Sequence, residues 1–330
     1  MPETTPEDIV ARAEAASALL NRARSAIGAV ILGQDEVIDL ALGAILCGGH
    51  ALLVGAPGLA KTRLVETIAT VTGLDEKRIQ FTPDLMPADI LGAEVLEESD
   101  SGKRQFRFIP GPVFCQLLMA DEINRASPRT QSALLQAMQE HQVTIAGVAH
   151  DLPAPFHVLA TQNPIEQEGT YPLPEAQLDR FLFQIDVGYP GAEHERDILL
   201  ATTGAAEAAP EAVLTPDDLT GLQELVRLMP VGEKTLDAIV KLVRMARPDQ
   251  SEREDVQTGV SWGPGPRAGQ ALMLGVRARA LLQGRLAPCV DDVIALAGPA
   301  LKHRMALSFA ARADGLALPD LIASLVREIA

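Results

Sequence analysis

The feature that most constrains this chain is residues 55–62, GAPGLAKT. This segment directly follows the apolar run 51–54 and directly precedes residues 63–69, which have a helix-like pattern. In such a strand, loop and helix, successive backbone N–H groups and the helix N-terminus can surround a polyphosphate. Lys61 adds a mobile positive charge, and the Thr62 hydroxyl is suited to hold Mg²⁺. The segment predicts a nucleoside triphosphate site; the alternative is an ordinary strand-to-helix turn.

The loop departs from the usual pattern at Ala60, because glycine normally precedes the lysine. Alanine fits this position without steric penalty only if its φ angle is negative. Alanine also starts a helix more readily than glycine does. We therefore expect Ala60 at negative φ, with the phosphate loop otherwise unchanged.

Two carboxylates, Asp121 and Glu122, close the apolar run 117–120. In open α/β sheets, the carboxyl ends of the strands face the crevice in which ligands bind. Because adjacent strand residues point in opposite directions, the pair can divide its work. We expect Asp121 to hold Mg²⁺ and Glu122 to orient and deprotonate an attacking water. The alternative is an acidic pair that caps a helix.

Polar residues also follow the later strands. Asn163 comes after a predicted strand and can present its amide to a γ-phosphate or to the water beside it, although Asn-Pro pairs are usually turns. Arg180, in the sequence LDRF, is either functional or an ordinary surface ion pair. Arg267 lies in the first turn of a predicted helix over 266–282, where a cation costs about 0.3–1 kcal/mol. An anion near Arg267 is therefore expected.

The order of apolar segments predicts an α/β fold with a parallel sheet covered on both sides. Short strands are expected at 51–54, 79–81, 117–120, 156–161 and 181–187. A helix is expected over 129–140, with Ser127 as its N-cap and Pro128 at its start. Residues 106–112 are expected to form an exposed turn, and Ala146-Gly147 a hairpin turn. Beyond residue 190 only helices are expected, with 204–212 as a linker or frayed helix end. We therefore assign 1–200 to the nucleotide-binding α/β domain and 201–330 to a helical domain.

Composition narrows the class of partner. The chain has 28 basic and 44 acidic residues, and its net charge of −16 disfavours binding to nucleic acid and insertion into anionic membranes. No secretory signal or bilayer-length apolar run is visible. Cys47, Cys115 and Cys289 are widely spaced in apolar surroundings and are expected to be buried thiols. These features predict a cytoplasmic protein.

The motifs occur in the order GAPGLAKT, LLMADE, NRASPRTQSALLQAM, ATQNP, YPLPEAQLDRF and GPRAG. In this combination the chain resembles the MoxR branch of the AAA+ ATPases from Gly33 to about Leu307. The resemblance implies a parallel-sheet P-loop AAA+ core with a C-terminal all-helical lid domain. It also implies ATP and Mg²⁺ as cofactors and hydrolysis of ATP to ADP and phosphate.

The resemblance also implies which residues form the site. The nucleotide-binding (Walker A) residues would be Gly55, Ala56, Pro57, Gly58, Leu59, Ala60, Lys61, Thr62 and Arg63. The metal would be held by Thr62 and Asp121. The catalytic set would be Glu122 of Walker B, Asn163 as sensor 1, Arg180 as the arginine finger and Arg267 as sensor 2.

By the same resemblance, the protein forms a homo-oligomer, in which one subunit supplies the nucleotide loop and the next the finger. Such a heterologous contact closes into a ring, here a hexamer. The resemblance implies an ATP-driven chaperone that remodels or activates a client protein. The second implied partner is a protein with a von Willebrand factor A domain. Residues 142–151 resemble the hairpin insertion in the family's second helix, and Gly263, Pro264 and Gly265 are a local departure in the lid.

Three other functions are compatible with the sequence. A helicase-type nucleic-acid motor has a related core, but the net charge of −16 and the lack of Lys and Arg in 142–151 weigh against it. The ATPase subunit of a metal chelatase is a further alternative. A degenerate nucleotide-binding scaffold is disfavoured because Lys61, Asp121 and Glu122 are intact.

Overall fold

The computed structural model describes residues 6–98, 104–166, 169–204 and 209–330. The helices are α1 (Pro6–Gly28), α2 (Asp35–Leu46), α3 (Lys61–Thr72), α4 (Pro87–Leu91), α5 (Pro128–Glu140), α6 (Glu175–Leu178), α7 (Ala192–Thr203), α8 (Pro216–Leu228), α9 (Glu233–Met245), α10 (Glu254–Gly259), α11 (Pro266–Leu282), α12 (Val290–Leu301), α13 (Phe309–Ala313) and α14 (Leu318–Val326). The strands are β1 (Ala51–Gly55), β2 (Glu76–Gln80), β3 (Gly92–Glu98), β4 (Arg104–Pro110), β5 (Leu117–Asp121), β6 (Gln142–Ile145), β7 (Val148–Asp151), β8 (His157–Gln162), β9 (Phe183–Val187), β10 (Val260–Trp262) and β11 (Ala306–Leu307).

The main sheet has five parallel strands in the order β2, β5, β8, β1, β9. Residue pairs near the carboxyl ends are in register, with Val54 opposite Gln162 and Gln80 opposite Asp121. The carboxyl ends of β5, β8 and β1 therefore lie side by side at one end of the sheet. This places the phosphate loop, the Asp121-Glu122 pair and Asn163 near one another. The predicted parallel α/β sheet is confirmed.

Both faces of this sheet are buried, as its continuous apolar strands predict. On β1, Leu53 belongs to one apolar cluster and Leu52 to the other, because successive side chains point to opposite faces. The first cluster includes α2, α11 and α12, so helices from both ends of the chain pack together. The second is covered by α5, which begins at Pro128 after the Ser127 cap, as predicted.

The hairpins differ from the prediction. Residues 106–112, expected as an exposed turn, instead supply most of β4, which pairs antiparallel with β3. The turn at Ala146-Gly147 does form, with both residues at positive φ. However, the hairpin β6–β7 lies after α5 and interrupts no helix, so its assignment to an insertion in the second helix was wrong. The second helix after the phosphate loop is α4, and the hairpin that directly follows it is β3–β4.

The region after residue 190 is mostly helical, but it is not free of strands. A small antiparallel pair, β10–β11, joins residues near Trp262 and Leu307. Part of the predicted linker, 205–208, lies outside the described residues. Cys47 and Cys115 are buried as expected, whereas Cys289 is exposed because it lies just before α12. Nowhere in the described ranges is a helix both long and apolar enough to cross a membrane.

Candidate nucleotide site

The phosphate loop connects the buried end of β1 to the first turn of α3. Gly55 must lack a side chain, because a Cβ there would lie 2.5 Å from the Val187 carbonyl oxygen of β9. Gly58 has φ +83°, and a Cβ built there would meet no atom within 4 Å. The loop is therefore closely packed at its base and open at its tip, where a ligand would lie.

Ala60 was expected at negative φ, and this expectation was wrong. The residue immediately before α3 adopts φ 55° and ψ 21°, in the left-handed region. The chain must reverse sharply between Gly58 and Lys61 to start the helix, and this reversal determines the conformation. Such a conformation costs a residue with a Cβ roughly 1–2 kcal/mol. Glycine is usual at this position because it adopts the left-handed conformation without this penalty. In this chain Ala60 adopts the same conformation with a Cβ present.

Lys61 folds back over the loop. Its Nζ donates to the carbonyl oxygens of Gly55, at 2.6 Å, and Ala56, at 2.8 Å. Partial burial lowers the pKa of Lys61, and the charges of Asp121 and Glu122 oppose that change. The ammonium group thus lies between the loop and the two carboxylates, where it can be transferred from backbone oxygens to phosphate oxygens.

The other predicted loop residues take different positions. Pro57 is exposed, whereas Leu59 is buried in the apolar cluster of α2 and anchors the loop. Thr62 and Arg63 are half-buried in the first turn of α3. Gln34, at the start of α2, donates through Nε2 to the Leu59 carbonyl at 3.3 Å. Its Oε1 is buried without a hydrogen bond among the described residues.

Asp121 ends β5 and is held from both sides. Its Oδ1 accepts from the Thr161 hydroxyl at 2.6 Å, and its Oδ2 accepts from Arg78 Nη2 at 2.6 Å. Arg78 lies on the neighbouring strand β2, so the carboxylate is neutralised by a cation from an edge strand. A divalent cation at Asp121 would compete with this ion pair.

Glu122 does not continue the strand, contrary to the expected alternation with Asp121. It adopts φ 55° and ψ 49°, so a backbone turn separates the two carboxylates. Its N–H donates to Thr161 Oγ1 at 2.8 Å. Its Oε2 accepts from Gln80 Nε2 at 2.8 Å and from Arg125 Nη1 at 2.9 Å. The carboxylate is oriented by two side chains.

Asn163 follows β8 and is buried, with 6% exposure. Its Oδ1 accepts from the Ile165 N–H at 3.0 Å, so the Asn-Pro turn expected as the ordinary alternative does form. This contact directs the amide oxygen into the turn and leaves the NH₂ group to serve as a donor. The turn and the predicted donor function are therefore compatible.

Arg180 and Arg267 lie together in a second place. They line a cavity of about 200 Å³ with Gly49 and His50, which immediately precede β1. Arg267 Nη1 lies 3.9 Å from Asp179 Oδ2, which is the compensating anion expected for this helix start. Arg180 forms no salt bridge within the described residues; partial burial and then Arg267 lower its pKa. The two arginines form a half-buried cationic pair.

This cationic pair is far from the phosphate loop of its own chain. The cavity adjoins the amino end of β1, whereas the loop leaves the carboxyl end of the same five-residue strand. A strand rises about 3.3 Å per residue, so the five steps from His50, which lines the cavity, to Gly55, where the loop begins, cover about 17 Å. An arginine side chain does not span that distance. The structure therefore brings the loop, Asp121, Glu122 and Asn163 together, but places Arg180 and Arg267 elsewhere.

The loop and its carboxylates fit ATP with Mg²⁺. The open space at Gly58 and the turn through Ala60 allow backbone N–H groups to approach phosphates. No group of three or more His, Cys, Asp or Glu side chains in the described part of the chain could hold a metal ion. Magnesium commonly needs only one or two protein ligands, because substrate phosphates and waters complete its shell. Thr62 and Asp121, the two residues predicted for the metal, match that number of protein ligands.

Comparisons with known proteins match both the sheet region and the helical region to ATPase domains. The family model "ATPase family associated with various cellular activities (AAA)" matches residues 50–183, and the model "AAA lid domain" matches 252–325. The chain is 43% identical to "Chaperone MoxR1" of Mycobacterium tuberculosis, over 92% of this chain and 79% of that protein. It is 42% identical to the uncharacterised protein YeaC of Bacillus subtilis, over 94% and 93%.

Two further similarities extend over most of the chain. "Protein MoxR" of Paracoccus denitrificans is 33% identical, over 87% of this chain and 88% of that protein. Among solved structures, a proposed ATPase from Cytophaga hutchinsonii superposes with a TM-score of 0.88 and 35% identity, covering 96% of each chain. The nucleotide core and the helical region are thus shared together.

Proposed function

The chain belongs to the MoxR family of AAA+ ATPases, and from this premise we propose that it hydrolyses ATP at sites shared between neighbouring subunits. The observation that carries the proposal is the position of Arg180 and Arg267, about 17 Å along β1 from the phosphate loop of the same chain. Because neither arginine can reach its own loop, each is available to a neighbour.

Within one subunit, the proposed division of work follows the geometry. The loop from Gly55 to Arg63 binds the triphosphate, and Lys61 moves its charge from backbone oxygens to the phosphates. Thr62 and Asp121 hold Mg²⁺, which when bound neutralises charge on the phosphate oxygens. Glu122 accepts a proton from the attacking water, and the Asn163 amide donates to that water or to the phosphate.

Between subunits, Arg180 and Arg267 stabilise the charge that develops on the neighbour's γ-phosphate. Such an arginine contributes about 10³–10⁵ in rate in other nucleotide hydrolases. A site divided in this way needs a head-to-tail contact, and repetition of that contact closes a ring, here proposed as a hexamer. Hydrolysis then depends on assembly.

For the biological activity, we propose a cytoplasmic chaperone that couples ATP hydrolysis to remodelling of a client protein. The relative from Mycobacterium tuberculosis is named a chaperone, and most of its length aligns with this chain. A protein with a von Willebrand factor A domain is the proposed partner. The net charge of −16 supports a protein client over nucleic acid.

Mixing two inactive variants tests the shared site. Glu122→Gln should bind ATP but lose turnover, because its amide cannot accept the proton. Arg180→Ala should bind ATP yet hydrolyse it orders of magnitude more slowly. In mixed rings, an Arg180→Ala subunit receives Arg180 from a Glu122→Gln neighbour. Random equal mixing completes about a quarter of all sites, so about a quarter of wild-type turnover should return.

Subunit exchange must be measured in the same samples, for example by energy transfer between labelled variants. Each variant at the same total concentration, unmixed, is the matched control. If mixed assemblies form and turnover stays at the unmixed level, Arg180 does not act on a neighbouring site. If Arg180→Ala alone retains wild-type turnover, it is an ordinary structural arginine, with a contribution of under about 1 kcal/mol to stability.

A further inference from the structure

Arg304 is a buried arginine that the sequence patterns did not single out. It ends the short 3-10 helix Lys302–Arg304 and is only 2% exposed. Its guanidinium group makes five hydrogen bonds. They run from Nε to Asp179 Oδ1 (2.7 Å), from Nη1 to the carbonyls of Leu182 (3.1 Å) and Ala300 (2.7 Å), and from Nη2 to the carbonyls of Asp179 (3.2 Å) and Phe181 (2.7 Å).

These contacts hold the backbone on both sides of Arg180. The carbonyls of Asp179 and Phe181 flank it, and Arg304 donates to both. His303 Nε2 makes a second contact to the Phe181 carbonyl, at 2.9 Å. The Leu182 N–H then donates to the His50 carbonyl at 2.7 Å, which ties the segment to the start of β1.

Asp179 links this clamp to the other arginine of the cavity. One carboxylate oxygen accepts from Arg304, and the other lies 3.9 Å from Arg267 Nη1. Arg304 and Arg267 both belong to the region matched by the lid model, whereas Arg180 belongs to the sheet unit. The lid of each chain is thereby joined to the segment that carries its own Arg180.

We propose that Arg304 is a positioning residue, which fixes the segment 179–182 to the lid so that Arg180 reaches the neighbouring nucleotide in one geometry. This proposal rests on the proposed function of Arg180 between subunits. A displacement of about 1 Å in a catalytic group can cost about 10²-fold in rate. A segment held at Asp179, Phe181 and Leu182 by one planar group has little freedom to make such a displacement.

The contacts of Arg304 depend on the planar guanidinium group of arginine. Its five N–H donors have fixed directions, and all five have partners here. Lysine keeps the positive charge but has three donors on one nitrogen, so Arg304→Lys cannot satisfy this set. The substitution should loosen the segment around Arg180 while leaving a cation beside Asp179.

The test places Arg304→Lys on one side of the shared site at a time. Glu122→Gln subunits supply Arg180 to a neighbouring site and are called donors here. Arg180→Ala subunits receive it and are called acceptors. A Glu122→Gln/Arg304→Lys donor should restore about 10–100-fold less turnover than the Glu122→Gln donor. An Arg180→Ala/Arg304→Lys acceptor should be rescued as well as the Arg180→Ala acceptor, because its own segment no longer carries a finger.

Lys302 provides a matched control in the same turn. Its Nζ pairs with Asp186 of β9 at 2.5 Å, so it also joins the lid to the sheet, but among the described residues it makes no side-chain hydrogen bond or ion pair to 179–182. A Glu122→Gln/Lys302→Gln donor should rescue fully. All rates are normalised to mixed assemblies measured by energy transfer, and ATP affinity is measured for every variant.

Each outcome decides the question. Full rescue by the Arg304→Lys donor, or equal loss on donor and acceptor sides, rejects a positioning function. If the Glu122→Gln and Arg180→Ala mixture itself shows no recovery, the shared site is rejected, and the positioning function with it. If Arg304→Lys donors do not enter rings, Asp179→Asn donors are used, since that change removes the carboxylate that orients the guanidinium group. Full rescue by those donors also rejects the proposal.

Discussion

At the scale of single residues, two positive φ angles shape the phosphate loop. Gly58 has φ +83° and Ala60 has φ +55°, on either side of the buried Leu59. Turns of this kind aim successive N–H groups at an anion. Gly58 adopts its conformation freely, whereas Ala60 does so against a steric penalty of roughly 1–2 kcal/mol. The ligand-binding shape of the loop is therefore maintained by the rest of the fold.

Ala60→Gly should consequently stabilise the nucleotide-free protein. Relief of the left-handed penalty of roughly 1–2 kcal/mol is opposed by about 0.4–1 kcal/mol of added freedom in the unfolded chain, so a gain of up to about 1.6 kcal/mol is expected. Gly58→Ala is the matched opposite change, and it should lower the free energy of unfolding by about 1 kcal/mol or more. Urea denaturation without nucleotide measures both. A loss of stability in Ala60→Gly would contradict the positive φ.

Thr161 is the residue on which both carboxylates of the site depend. Its hydroxyl donates to Asp121 Oδ1 and accepts from the Glu122 N–H. Thr161→Val removes both bonds without a change of shape, and an unpaired polar group of this kind costs about 1–3 kcal/mol. We expect a loss of stability in this range and a loss of turnover, measured by denaturation and phosphate release.

Thr72→Val is the control for this change. Thr72 is as buried as Thr161, but its hydroxyl donates to the carbonyl oxygens of Ile68 and Ala69 within its own helix. Its replacement should leave turnover at the wild-type level. Unchanged turnover in Thr161→Val as well would show that the link between β5 and β8 does not position Asp121 and Glu122.

At the scale of elements, sequence predicted those whose signals are local. The run before the phosphate loop forms β1, Ser127 and Pro128 start α5, and α11 runs from Pro266 to Leu282 as expected. Each has its own cap, proline or apolar run, so its neighbours in sequence determine its structure. The pairing of β10 with β11 was missed because strands of three and two residues have no periodicity.

Tertiary partners were not predictable in the same way. Residues 106–112 were predicted as a turn because they contain FIPGP, and only the pairing with β3 makes 104–110 a strand. Arg78 and Gln80 lie on a different strand from the carboxylates they hold. Arg304 is more than a hundred positions from Asp179. No spacing in the sequence reports such contacts, so the motifs were found while their supporting residues were not.

The amino ends of β1 and β8 carry two buried histidines that must stay neutral. His50 Nδ1 accepts from the Val158 N–H, and His157 lies between the Gly49 carbonyl and Gln223 of α8. Burial lowers the pKa of His50 from 6.5 to about 3, and burial lowers the pKa of His157 from 6.5 to about 4. These two histidines therefore take up protons near pH 6.5 in the unfolded chain but stay neutral at that pH in the folded chain.

Stability should be complete above about pH 6.5 and fall as the pH decreases towards 4. The unfolded state binds more protons in this window, and each histidine should cost about 2 kcal/mol at pH 5 relative to pH 7.5. Denaturation at the two pH values measures the difference. His157→Gln should reduce it by about 2 kcal/mol. An unchanged difference in His157→Gln would show that His157 is not buried as a neutral ring.

At the scale of the whole molecule, the two ends of the sheet have different partners. The carboxyl edge holds the phosphate loop and the carboxylates, and the amino edge holds Arg180 and Arg267 beside the lid. A single chain thus has both halves of the proposed catalytic site but cannot bring them together. The amino edge of a second copy, in a head-to-tail contact, would complete the site at the carboxyl edge of the first.

Turnover per subunit should therefore increase with protein concentration. At concentrations where sedimentation shows only monomers, each loop lacks a neighbour's arginine, and the rate should be about 10³-fold or more below that of assembled rings. ATP binding to the loop should persist in the monomer, because Lys61 and the backbone belong to one chain. An Arg180→Ala/Arg267→Ala chain is the matched control, since it has neither arginine to supply to a neighbour and its slow rate should not change with concentration. A constant rate per wild-type subunit across the dissociation of the assembly would mean that each chain completes its own site.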